Sequence, residues 1–152
     1  MPEYHSIFRK ISDNPYLLDE GIKTNYDILT IDSLKEKMWK LIEPTYIKKD
    51  NDLIERFNNA RAQSLGSDDI ASVARASVNN QVHTALIESN MVIPGKLEPS
   101  TGKIEMGQLD NPEYGDLLND IALIVMQNGG NVVMLPRERM PSATGIAAIY
   151  RF

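Results

Sequence analysis

Three short apolar runs, set between segments of helical spacing, constrain the fold of this chain more than any other feature. The runs are VHTALIES at 82–89, NVVMLP at 131–136 and IAAIYRF at 146–152. Runs of this length that contain β-branched residues are typical of strands buried on both faces. Amphipathic segments precede the first two runs. The sequence therefore predicts an α/β fold in which helices cover a small mixed sheet.

Two helices are expected before the first strand. The first begins near Ser33, which forms a capping-box pair with Glu36, and its apolar face continues to about residue 66. Pro44 is expected to kink or split this helix, because proline lacks the backbone donor and clashes with the preceding turn. Ser67 is the expected N-cap of the second helix.

The second half of the chain adds one more helix and two loops. Apolar spacing predicts a helix at 114–128 that ends at Gly129 in a left-handed conformation. Prolines and glycines predict a long loop at 90–112, with a short edge strand within 102–108. The loop at 137–145 is too short for a helical crossover, so the last two strands are expected to be antiparallel.

Residues 1–32 contain turn-forming residues that interrupt any long period, and an irregular structure is expected there. The same segment carries Tyr4, Phe8 and Tyr16 among other apolar residues. It is too apolar for a free tail, so we expect it to dock on another part of the protein.

Composition excludes several classes of protein. The chain has no cysteine, and nothing near its N-terminus resembles a signal peptide, which fits a cytoplasmic protein. No apolar run approaches the roughly 20 residues that a membrane-spanning helix needs. The net charge of −5 argues against bulk binding of nucleic acid.

No reactive constellation is recognisable. The two histidines, His5 and His83, cannot form a three-ligand zinc site by themselves, and nucleotide-binding glycine loops and hydrolase elbows are absent. His83 is expected to be a satisfied core or sheet-face residue. The sequence predicts no catalytic residue, no cofactor and no metal site, and hence a protein that is not an enzyme.

Carboxylates cluster in the middle of the chain. Asp116 and Asp120 share a helical face and could bind a hard cation, although a solvated face is favoured. A small acid–base enzyme that uses this acidic region is the least favoured reading.

The loop after the second central strand is the most suggestive local feature. It follows the end of an apolar strand, which is where function usually lies in α/β sheets. A purely structural turn with Arg–Glu pairing is the alternative. The candidate partner-binding residues are Arg137, Glu138, Arg139, Met140, Pro141, Ser142 and Thr144.

Two stretches, 65–89 and 117–152, resemble the last domain of the peptide-release factors and of their relative Pelota. The closing GIAAIYRF strand and the ERMPSATG loop resemble the bacterial archaeo-eukaryotic release factor branch, which NPYLLDEGI and WKLIEP match more loosely. The resemblance implies a three-layer α/β/α sandwich like the kink-turn-binding ribosomal proteins. It also implies that 1–32 is a linker or exit segment from a preceding domain and that 33–152 is the release-factor C-terminal-like domain.

The resemblance further implies a non-catalytic interaction domain that docks a protein partner in translation, such as a translational GTPase or the ribosome. The Gly-Gly-Gln of release factors is absent, because Gly129 and Gly130 precede Asn131. A structured-RNA-binding module is the alternative, which the basic segment 33–63 and the C-terminal arginines leave open.

Overall fold

The computed structural model describes residues 3–24, 28–108 and 110–152. Positions 1, 2, 25–27 and 109, which fall within the predicted irregular segment and the predicted long loop, lie outside the described residues. The chain divides into two compact units, Met1–Lys49 and Asp50–Phe152. Helix α2 begins in the first unit and ends in the second.

The elements follow one another as helices, short strands and one 3-10 turn. In chain order they are α1 (Glu3–Ile11), α2 (Ile31–Ala62), β1 (Gly66–Ser67), α3 (Ile70–Val78), β2 (Val82–Glu88), β3 (Pro94–Leu97), β4 (Ile104–Met106), β5 (Gly115–Asp116), α4 (Leu117–Gln127), β6 (Asn131–Leu135), the 3-10 turn Arg137–Arg139 and β7 (Ile146–Tyr150).

The main sheet has the strand order β1-β7-β2-β6. Strand β2 pairs in parallel with β6 and antiparallel with β7, and β7 pairs antiparallel with β1. This confirms the three apolar runs as strands of a mixed sheet. The last two strands do run in opposite directions, but they are not neighbours, because they lie on opposite sides of β2.

Two apolar cores lie on the two faces of this sheet. On one face α3 and α4 bury Val73, Ile121 and Val125 against Ala85 and other sheet residues. On the other face the last part of α2 buries Phe57 against a second set of sheet residues. That second set is Leu86, Leu135, Ala147 and Ile149. The predicted α/β class is confirmed, with helices on both faces of the sheet.

Helix α2 starts earlier than predicted and is not capped by Ser33. Thr30 Oγ1 accepts from the Ser33 N–H at 3.2 Å, and Ser33 Oγ donates to the Thr30 carbonyl at 2.9 Å. The capping box of Ser33 and Glu36 is therefore wrong, because a hydroxyl three residues upstream occupies the cap. The helix continues through Pro44 without being split.

The predicted cap of α3 is displaced by two residues. Ser67 belongs to β1, where it pairs with Ala148 and is extended. The N-cap is Asp69, whose carboxylate accepts from the Ser72 N–H at 2.9 Å and from the Ser72 hydroxyl at 2.6 Å. At the end of α4 the prediction is confirmed, since Gly129 has a φ of +71°.

Two segments predicted as irregular contain regular structure. The region 90–112 contributes β3 and β4, which join β5 in a second sheet of order β4-β3-β5. The predicted edge strand is confirmed as β4, but the surrounding long loop is a correction. Residues 1–32 are also not irregular throughout, because they include α1. Strands β3 and β5, with four and two residues, are too short for alternation to reveal them.

Candidate partner-binding loop

The candidate loop, residues 136–145, leaves the carboxyl end of β6 and returns to β7. Both of its ends are tied to the end of β2. The Ser89 N–H donates to the Leu135 carbonyl at 2.8 Å, and the Glu88 N–H donates to the Gly145 carbonyl at 2.9 Å. The loop therefore lies at the carboxyl edge of the parallel β2–β6 pair, which is where the sequence predicted it.

A 3-10 turn shapes the first half of the loop. The Arg139 N–H donates to the Pro136 carbonyl at 2.9 Å, and the Met140 N–H donates to the Arg137 carbonyl at 3.2 Å. This turn leaves the side chains of Arg137 and Glu138 exposed. A cation and an anion thus stand side by side at the solvent-facing tip.

Arg139 is held by a residue that the sequence analysis missed. Its Nη1 lies 2.8 Å from Asp50 Oδ2, and the two side chains are only 31% and 13% exposed. A partly desolvated pair of this kind constrains both side chains more than a surface pair does. The ion pair that holds the loop therefore joins Arg139 to α2. It is not the Arg–Glu pair that the sequence left open. No sequence signal marks Asp50, because it lies among other charged residues.

The two hydroxyls in the second half of the loop, those of Ser142 and Thr144, also hold the loop in place. Ser142 Oγ donates to the Ile146 carbonyl at 2.7 Å, and Thr144 Oγ1 donates to the Asp68 carbonyl at 2.6 Å. Gly145 has a φ of +80°, and a Cβ there would overlap the Met91 sulfur. Any side chain at position 145 would therefore disturb this turn.

The seven predicted residues therefore separate into two groups. Arg139, Met140, Ser142 and Thr144 brace the loop, since Met140 packs on the core around Phe57 and the other three hold it through polar contacts. Pro141 is half-buried. Arg137 and Glu138 remain available to a partner.

The two histidines lie in different units. His83 is exposed on β2 at an irregularity between Val82 and Thr84, where its Nδ1 lies 2.8 Å from Thr84 Oγ1. His5 belongs to the other unit, in α1.

Of the two carboxylates considered for a cation, Asp116 and Asp120, the first is a helix cap. Asp116 is the N-cap of α4, and its Oδ1 accepts from the N–H groups of Ile93 and Leu118, each at 3.1 Å. Burial, and then the neighbouring Asp116, raises the pKa of Asp120. Within the described residues no three His, Cys, Asp or Glu side chains are grouped to hold a metal ion. Nothing here therefore supports the cation alternative.

The first unit carries an unusual concentration of exposed apolar side chains. A cavity of about 570 Å³ there is lined by Tyr4, Phe8 and Tyr16 together with His5 and Arg9. On α2 the rings of Trp39 and Tyr46 stack with centroids 6.2 Å apart. Both rings are more than half exposed, as are Ile7, Ile11 and Ile31. The sequence predicted an irregular segment at 1–32 and an apolar face on the helix that follows it, and neither pattern by itself indicates that these side chains are exposed.

The fold is that of a known class of domain. The chain aligns with the C-terminal domain of a peptide chain release factor from Methanosarcina mazei at a TM-score of 0.59 and 16% identity, covering 86% of this chain and 97% of that one. It also aligns with Pelota from Archaeoglobus fulgidus at a TM-score of 0.55 and 20% identity, covering 80% of this chain. The aligned part spans only 35% of the Pelota chain.

The sequence itself provides the assignment to a family. Residues 1–81 match the model of bacterial archaeo-eukaryotic release factor family 3. Because the match extends over more than half of the chain, the protein belongs to this family. It does not include the ERMPSATG loop or the closing strand, which carried the resemblance most clearly. No functionally curated protein shows detectable sequence similarity. No helix in the described ranges is both long and apolar enough to cross a membrane.

Proposed function

We propose that this chain is a non-catalytic interaction domain of a translation-related factor and that its 136–145 loop docks a protein partner. The observation that carries the proposal is the braced loop, which holds Arg137 and Glu138 out to solvent. A preorganised charged tip loses little conformational entropy on binding, because the loop is already ordered. The family name and the release-factor fold of the domain favour the ribosome or a translational GTPase as the partner.

The absence of an enzymatic role is part of the same proposal. The Ser142 and Thr144 hydroxyls of the loop are used in hydrogen bonds to backbone carbonyls, and the Asp116 carboxylate caps a helix. The arrangement offers a surface for recognition, whereas catalysis needs a nucleophile and a base within hydrogen-bonding reach in a cleft.

The test is co-sedimentation of the purified protein with bacterial ribosomes, with and without purified translational GTPases. The double variant Arg137→Glu with Glu138→Lys reverses the charges at the tip without changing the net charge. We expect it to weaken binding at least about tenfold, as expected when interface charges are made repulsive. The matched control is Glu55→Lys with Arg56→Glu, an exposed adjacent pair on α2. Equal binding by both double variants, or no binding by the unchanged protein, would refute the proposal.

We propose further that residues 1–32 form a linker or exit segment from a preceding domain, and that 33–152 is the domain proper. The support is the exposure of Tyr4, Phe8 and Tyr16 in the first unit. Backbone NMR relaxation measures the nanosecond mobility of this segment. If the proposal is correct, that mobility is lower in a protein that includes the preceding domain than in this chain alone. Unchanged relaxation would argue against it.

A structured-RNA-binding role is the second candidate, and one observation favours it. The stacked Trp39 and Tyr46 rings lie on the part of α2 that belongs to the first unit, residues 31–49, and five lysines lie on the same part. Those lysines are Lys35, Lys37, Lys40, Lys48 and Lys49. Exposed aromatic rings and cations together are suited to stacking on bases and pairing with phosphates. Gel shifts with structured RNA at two salt concentrations test this role, and binding that is absent or indifferent to salt would exclude it.

A further inference from the structure

Strand β6 is an edge of the main sheet that lacks the usual protection. It pairs with β2 on one side, and within the described residues no strand pairs with it on the other. Native edges are commonly protected by charges, by proline or by a bulge. The five residues Asn131–Leu135 contain no charge and no proline, and their pairing with β2 is regular.

The direction of the free hydrogen-bonding groups follows from one observed bond. The Leu135 carbonyl accepts from the Ser89 N–H, so the peptide groups of Leu135 face β2. Since these directions alternate along a strand, the groups of Val133 also face β2, and those of Val132 and Met134 face outward. The Gly130 N–H already donates to the Val125 carbonyl, and Pro136 has no N–H. The free edge therefore offers the N–H groups of Val132 and Met134.

We propose that β6 pairs antiparallel with β6 of a second copy of this chain, about a twofold axis at Val133. In this register Val132 of one copy lies opposite Met134 of the other, and each such pair exchanges two backbone hydrogen bonds. Val133 lies opposite itself. All the outward N–H groups of both edges are then used.

Registers shifted by one residue also take up the outward N–H groups, but only by pairing them with residues outside β6. A pairing centred on Met134 places Val132 opposite Pro136, which has no N–H and whose carbonyl already accepts from the Arg139 N–H. A pairing centred on Val132 places Met134 opposite Gly130, whose N–H is already bonded to Val125. The register centred on Val133 is thus the one that the backbone of this edge favours.

The side chains beside the edge are also suited to a second copy. Met134 is 57% exposed, and Met126 on α4, the helix that packs on β6, is 51% exposed. Neither residue is charged. With a net charge of −5 on every copy, a neutral apolar edge is where two copies approach at the least electrostatic cost. Apolar pairs directly opposite one another stabilise antiparallel strands.

Cysteine cross-linking tests the register, and the chain has no cysteine of its own to interfere. In the proposed dimer the two Val133 Cα atoms are a non-hydrogen-bonded pair, about 4.5 Å apart. That distance suits a disulfide. We expect Val133→Cys to form a covalent dimer under mild oxidation. Met134→Cys should not, because its two positions lie on a diagonal, about 7–8 Å apart. Cross-linking of both variants alike, or of neither, would overturn the proposal.

Sedimentation velocity over a concentration series tests the reversible dimer. Met134→Pro removes one outward N–H at a position where an edge strand tolerates proline, and Met134→Lys places a charge in the apolar pair. The matched control is Met106→Lys, at a residue 59% exposed on strand β4 of the other sheet. We expect both Met134 variants to be monomeric with unchanged circular dichroism, and the control to dimerise like the parent. A parent that stays monomeric, or a dimer that survives both changes, contradicts the inference.

Discussion

The two halves of helix α2 show how differently the two units use their apolar residues. In the first half Trp39 and Tyr46 are more than half exposed, whereas Phe57 in the second half is fully buried. All three residues lie on one continuous helix. Helical spacing by itself therefore does not decide burial. It creates an apolar face, and the sheet beneath Phe57 is what makes that face a core.

The two units also differ in where their apolar and polar side chains lie. In the second unit apolar side chains form two cores and polar side chains brace a loop. In the first unit exposed aromatic residues line an open cavity and a helix surface. The first unit thus leaves large apolar side chains exposed, whereas the second buries most of its large apolar side chains in its two cores.

The largest expected effect on stability is at the buried end of α2. Phe57→Ala should lower the free energy of unfolding by about 3–5 kcal/mol, because it removes a buried ring and leaves a cavity beneath the sheet. Urea denaturation followed by circular dichroism measures the change. Phe57→Leu is the control that keeps most of the volume. A loss as small as that of an exposed residue would break the contrast between the two halves.

A smaller effect is expected where the loop is tied to α2. Arg139→Met should cost about 1–2 kcal/mol, since it leaves the partly buried Asp50 carboxylate without its donor. The same denaturation experiment applies, with Arg137→Met as the matched control at an exposed arginine of the same turn. If the two variants were equally stable, the loop would not depend on Asp50 for its order.

The cap of α3 should contribute about 1 kcal/mol, which Asp69→Ala removes. The Ser72 hydroxyl, followed by the Ser72 backbone N–H, lowers the pKa of Asp69 in the folded state. The unfolded chain then binds a proton at a higher pH than the folded chain does. This contribution is therefore complete above the ordinary carboxyl pKa and is lost as the pH falls below about 4.

Asp69→Asn is the control for that pH dependence, because asparagine caps the helix without titrating. Thermal midpoints between pH 6 and pH 3 should fall less steeply in Asp69→Asn than in the parent. Identical slopes would show that the carboxylate is not the source of the effect.

The smallest effect is expected at the exposed end of α2. Trp39→Ala should change the free energy of unfolding by no more than about 0.5 kcal/mol, as is usual for exposed positions. It is the one tryptophan of the chain, so the fluorescence of the parent reports on this half alone. Iodide should quench that emission efficiently, because the ring is exposed beside lysines. A shielded tryptophan would show that the first unit is covered.

The sequence predicted three of the four strands of the main sheet, missed the two-residue β1, and placed the helix boundaries less well. The runs that became β2, β6 and β7 are long and apolar enough to be recognised. The caps were misplaced by two or three residues, because serine, threonine and aspartate cluster before α2 and α3 and all of them can cap a helix. Of the second sheet only β4 was predicted, and β3 and β5, with four and two residues, were missed.

The position of the candidate loop could be predicted, but which of its side chains hold the loop and which are exposed could not. An apolar strand followed by charged and small residues marks a loop at a sheet edge. Which of its arginines is exposed depends on Asp50, which is 89 positions away in sequence. Contacts over such distances leave no trace in local spacing.

From the sequence alone came the alternation of helices and apolar strands, the α/β class and the position of the loop, because these depend on local periodicity and residue type. The tertiary structure decided the strand order, the partner of Arg139, the free edge of β6 and the exposure of the first half of α2. Each of these is a question of which segments meet in space, and an apolar residue becomes core only where a second surface covers it.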